Sequence, residues 1–162
     1  MAEILLVVVI IAIAAMIAVP MMGSMDSVQI RSAANMIAAD LEYAKSMAIS
    51  RQNYYSVVFN PANDYYEVHD PNGIIKHPVK KGFDYKVDFS SDSRLNKVVI
   101  NDADFDPDSS NTITFDYLGC PYSGSGTSPD HSLNSGTIGI RAGDFTMTVS
   151  VEPVTGFISI TD

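Results

Sequence analysis

The chain has 162 residues, 46% of them hydrophobic and 18% charged, and its ten Lys and Arg against nineteen Asp and Glu give a net charge of −9. That length suits one domain, or a small domain with an appendage. The acidity excludes non-specific capture of phosphate backbones, which needs clustered cations, and the uneven spread of apolar residues excludes a uniform soluble globule.

From Ile4 to Val19 there is no polar side chain. As a helix this run rises about 24 Å, and about 28 Å if it continues through Met22, close to a hydrocarbon core of about 30 Å. A cleaved secretory signal fits poorly. No basic flank precedes the run, and Ala18-Val19-Pro20 leads into Met21-Met22 rather than a small-residue cleavage site. Glu3 heads the run. It is either an acid favoured in a first helical turn at the membrane interface, or a carboxylate held at the apolar edge for a partner's counter-charge. On the residue alone both readings stand.

Helical periodicity resumes beyond the run. Ile30, Ala34, Ile37, Leu41, Ala44 and Ala48 recur four and three apart as one narrow apolar stripe, opposite Arg31, Asn35, Glu42, Lys45 and Arg51. Pro20 removes a backbone donor and Gly23 weakens the next turn, so a kink or local melting is expected there. Without it, residues 2–52 would form one helix about 75 Å long. The expected organisation is a hydrophobic helix over 1–25, an amphipathic helix over 26–52 and a β-rich globular part over 53–162.

From Tyr54 the pattern turns to strands. Tyr54–Asn60 and Tyr65–Asp70 read as a hairpin joined by Pro61-Ala62-Asn63-Asp64. Phe83–Phe89, Lys97–Ile100, Thr112–Tyr117, Thr137–Arg141, Phe145–Val151 and Phe157–Ile160 are further candidates. Thr155-Gly156 marks the last hairpin turn, and Ser123–Ser135, rich in Ser, Gly and Pro, reads as a loop. The fold class is therefore α+β: a long N-terminal helix packed against a C-terminal antiparallel β-rich domain.

Glu3, the apolar run and Pro20 together resemble the N-terminal helix of type IV pilins and type II secretion pseudopilins, in identity and separation of the Glu and the Pro. Asp40–Arg51 is similar to the second helical half of the GspH/FimT subgroup. Thr112-Ile113-Thr114-Phe115 with Gly119, Gly136-Thr137-Ile138, and Val149-Ser150 with Thr155-Gly156 are similar to its C-terminal β pattern. The resemblance implies the pilin fold and a subunit of a type IV pilus-like filament, pilin or H-type pseudopilin, with hydrophobic helices in the filament core. It implies that Glu3 pairs with a neighbour's N-terminal amine, and that the partners are homologous subunits. It also implies an inner-membrane anchor with a periplasmic globular part before assembly, and a periplasmic or extracellular filament afterwards. The family's mature chain places four residues ahead of its Glu, after a basic leader ending in Gly. Only Met1 and Ala2 precede Glu3 here, so the expectation is that two mature residues and the leader are absent from this chain.

Other constellations carry less. Asp102, Asp104, Asp106 and Asp108 alternate and are weak calcium candidates, but Pro107 stands where the EF-hand loop needs Gly and Ile113 where it needs Glu. Extended, the four share one side, as a solvated face would. Lys76, Lys80, Lys81 and Lys86, around Phe83 and Tyr85, form a basic cluster that suits an acidic neighbour, an anionic ligand or plain solvent. His69, His77 and His131 lack ligand spacing. Gly124-Ser125-Gly126 lacks the third Gly of a dinucleotide fingerprint, no nucleophile elbow is present, and Cys120 reads as a small buried or turn residue rather than a reactive thiol. No catalytic residues, cofactor, small-molecule substrate or nucleic acid are expected. Two other classes of function stay open. A DNA-binding minor pilin would want a basic C-terminal part, where residues 111–162 offer only Arg141. A membrane-tethered binding domain would need neither Glu3 nor an amphipathic extension.

Overall fold

The computed structural model describes residues 2–21, 24–124 and 131–162. Two helices open the chain, α1 (Ala2–Met21) and α2 (Ser24–Arg51). Glu3 lies in the first turn of α1. Asp26 lies in the first turn of α2 and Arg51 in its last, each with the sign that the helix dipole favours. Pro20 falls in the last turn of α1. The other half of the expected kink, Gly23, lies outside the described residues.

The apolar stripe does what its spacing implies. Ile30, Ala33, Ala34, Ile37, Leu41, Ala44 and Ala48 are at most 2% exposed. The four alanines keep the helix close to what it covers, which is both sheets of the globular part.

The strands are β1 (Tyr55–Asn60), β2 (Tyr65–Asp70), β3 (Gly73–Ile74), β4 (Lys86–Asp88), β5 (Val98–Asp106), β6 (Thr112–Phe115), β7 (Pro121–Ser123), β8 (His131–Ser132), β9 (Ser135–Ala142), β10 (Phe145–Val151) and β11 (Ile158–Thr161). Among the described residues, one sheet runs β3-β2-β1-β6-β7-β8 with β4 also pairing β2, and a second runs β11-β10-β9-β5. All pairings are antiparallel. Their register sets apolar residues opposite one another, as in Val57↔Val68, Phe59↔Tyr66 and Ile138↔Val149.

Between α2 and the sheets lies one core. Phe59 is its hub, 5.5 Å from the Tyr66 ring and 5.9 Å from that of Phe105, and Tyr66 meets Phe89 edge-on at 6.0 Å. Where polar groups enter, they are paired. Ser56 and Thr114 hydroxyls lie 2.7 Å apart, and Thr114 Oγ1 donates to the Gly124 carbonyl at 2.6 Å. Asp64 joins the sheets from the β1–β2 connection: its carboxylate accepts the Ile100 N–H at 2.8 Å and its carbonyl accepts the Phe89 N–H at 3.0 Å.

Several strand expectations need correction. The one over Phe83–Phe89 shrinks to Lys86–Asp88, because residues 76–84 are spent on a bridge between Lys76 and Asp84 and on turns. The one ending at Ile100 continues to Asp106 past a bulge between Ile100 and Asp102, since pairing with β9 supplies the ladder. The expected loop over Ser123–Ser135 has strand at both ends, with Ser123 closing β7, His131–Ser132 forming β8 and Ser135 opening β9. Its middle, residues 125–130, lies outside the described residues.

Candidate assembly surface

In α1, every large apolar side chain from Ile4 to Ile13 is 49–70% exposed. Glu3, exposed as well, opens this row. Water is a poor neighbour for such a surface. Covering a Val, Leu or Ile side chain fully is worth about 1.5–3 kcal/mol, so covering what remains of nine partly exposed ones is worth on the order of 10 kcal/mol. Among the residues described down to their side chains, no helix is long and apolar enough to cross a membrane.

The rod is fixed to the globular part at three levels along α2. At its start, Asp26 accepts from Lys97 Nζ at 2.9 Å. The β9–β10 turn crowds the same carboxylate: Gly143 sits at φ +58°, and a Cβ there would lie 2.8 Å from Asp26 Oδ2. Near the middle, Asp40 accepts from Tyr66 OH at 2.6 Å and from Tyr85 OH at 2.8 Å. Burial raises the Asp40 carboxyl above its ordinary value, and the two phenols and the field of His77 offset part of the rise. Burial, reinforced by Asp40, pushes both phenols up, so they remain donors. His77 closes the cluster by stacking on Tyr85 at 4.5 Å. Towards the end, Lys45 Nζ donates to the Gly156 carbonyl at 3.0 Å.

The family model for the type II transport protein GspH matches residues 33–155, three quarters of the chain. The chain belongs to the GspH family. In fold it is similar to the minor pseudopilin EpsH from the type 2 secretion system of Vibrio cholerae, at 11% identity and a TM-score of 0.57 over 82% of this chain and 96% of that one. It is also similar to the type IV minor pilin FimU of Pseudomonas aeruginosa PAO1, at 17% identity and a TM-score of 0.50 over 82% and 88%. At these identities the likeness is one of fold. No curated protein matches the chain.

In this GspH-family chain the remaining flagged residues do not converge. Asp102 and Asp104 stand exposed on β5, Asp106 is half-buried at its end, and Asp108 turns to the His131 ring at 2.9 Å. Among the described residues no three His, Cys, Asp or Glu come together as a metal cage. Two of the four lysines of the basic cluster have partners: Lys76 pairs with Asp84 at 2.6 Å, and Lys86 lies 3.7 Å from Glu67 and 3.4 Å above the Tyr65 ring. Arg94 binds Asp92, whose carboxyl it holds down at about 2. Burial pushes the Cys120 thiol up, away from the reactive thiolate. The groups missed from sequence are Tyr66, Tyr85 and Asp64. The available cue was Asp40, an acid flanking the apolar stripe beside Ile37 and Leu41.

Proposed function

We propose that this protein is a structural subunit of a type IV pilus-like filament, an H-type pseudopilin or minor pilin, that assembles through α1. The observation that carries the reading is the exposed apolar row from Ile4 to Ile13 headed by Glu3, joined to a helix braced at Asp26, Asp40 and Lys45. Before assembly, the apolar run through Val19 holds the subunit in the inner membrane with the globular part in the periplasm. In the filament, the same row packs against the helices of neighbouring subunits, and Glu3 pairs with the N-terminal amine of one of them. A carboxylate at the edge of an apolar segment is costly alone and stable with a counter-charge. The role is mechanical and not catalytic.

Glu3→Ala tests this. The variant is expected to fold and insert like the wild type but to give fewer and shorter filaments in a strain whose other subunits are intact. Filaments of normal number and length would refute the pairing.

A further inference from the structure

We infer that the end of the globular part nearest α1 forms a collar that sits in the headgroup layer of the bilayer, with Phe145, Met25 and Val28 as its apolar wedge. This deepens the membrane-anchor reading and rests on it.

The helix α2 is the ruler. Phe145 shares a groove with Ser27, Ile30 and Arg31, Met147 shares one with Arg31 and Asn35, and Gly156 meets Lys45. So β10 climbs α2 from its start, and the β9–β10 turn lies at the α1 end. There Met25 is 63% exposed, Val28 66% and Phe145 46%. At about 1.5 Å per residue, α1 (Ala2–Met21) takes up about 30 Å, the depth of a hydrocarbon core, so α2, which opens at Ser24, starts near its edge. Residues 25–28 then fall in the next ~6 Å, within the ~5–8 Å that headgroups add on each side.

The collar is held in place. The turn carrying Phe145 abuts Asp26 through Gly143. Lys97 neutralises Asp26, and Arg31 lies 3.4 Å from Asp162. Each of these cations is paired with a carboxylate, and Asp144 stands exposed beside Phe145, so the three apolar side chains, not charge, carry the insertion. The apolar side chains at the far end, Ile49 and Phe157 among them, stand about 36 Å along α2 and cannot reach the same layer.

The chain has no tryptophan, so single introduced tryptophans report depth. Full-length Phe145→Trp, Ile10→Trp and Phe157→Trp are each reconstituted in phosphatidylcholine vesicles, with and without bromine on the acyl chains. Ile10→Trp is expected to be quenched strongly. Phe145→Trp should be blue-shifted, and quenched more by bromine near the headgroup than by bromine near the chain end. Phe157→Trp should be unaffected. Quenching at Ile10 without quenching at Phe145 would overturn the collar and leave the anchor standing, whether the Phe145 probe is then in water or covered by a second copy. Absence of quenching at Ile10 would overturn the anchor and the collar together. Quenching at Phe157 equal to that at Phe145 would show the globular part lying non-specifically on lipid, and would also overturn the collar.

Discussion

Replacing Tyr66 by Phe removes one oxygen from a residue that is fully buried and otherwise well packed, so it isolates the phenol's hydrogen bond to Asp40. A hydrogen bond to a charged group contributes about 1.5–3 kcal/mol and a neutral one about 0.5–1.5 kcal/mol. At about pH 7 the expected loss is therefore about 2 kcal/mol, or a Tm lower by about 4–8 °C for a domain of this size. The pH dependence follows from Asp40. Its folded value is raised from the ordinary 3.8, mainly by burial, so the folded state binds the proton more tightly than the unfolded one. Its contribution to stability is then fully present below about pH 4 and falls as pH rises through the folded value. Losing the Tyr66 donor raises that value further, so Tyr66→Phe should cost more near pH 7 than near pH 4. The assay is urea unfolding of the full chain in detergent, followed by circular dichroism at both pH values. A loss under about 0.5 kcal/mol near pH 7, or an equal loss at the two pH values, would refute the assignment of Asp40 as a hydrogen-bonded carboxylate.

Gly156→Ala places a side chain at φ +59°, with its Cβ 3.0 Å from the Gly119 carbonyl; it should destabilise by about 1–3 kcal/mol in the same assay, and a neutral outcome would contradict the turn geometry. Because Lys76, Lys86, Arg94 and Lys97 each pair with a carboxylate, binding of double-stranded DNA should be weaker than about 1 mM at physiological salt. A fluorescence titration showing micromolar affinity that falls steeply with salt would promote the DNA-uptake reading. Calcium should shift Tm by less than about 1 °C, since no third carboxylate joins Asp102 and Asp104 among the described residues; a saturable rise would show that those aspartates are assembled into a site.

Much of the helical half was legible because burial there follows a simple period. Ile30 to Ala48 recur at three and four, and every one is buried. The β1–β2 and β10–β11 hairpins were legible through Pro61–Asp64 and Thr155-Gly156. The extension of β5 through Asp102, Asp104 and Asp106 was not, since aspartate disfavours strands and only pairing with β9 overrides it. Two- and three-residue strands such as β3, β7 and β8 are too short to show any period. The division into two sheets depends on register and on Asp64, a turn residue whose local sequence carries no mark of its long-range bonds to Ile100 and Phe89. At the candidate assembly surface, Glu3 and the apolar row stood out at once, whereas Asp40 acquires its two tyrosines only through folding.

The central claim is that α1 packs against the helices of other subunits. A photo-crosslinking residue at Ile10, 57% exposed on the apolar row, tests it most directly in cells that carry the assembly machinery. Crosslinks from the filament fraction, mapped by mass spectrometry, should join Ile10 to the N-terminal apolar segment of a pilin-like subunit. Crosslinks to lipid alone, with filaments present, would contradict it.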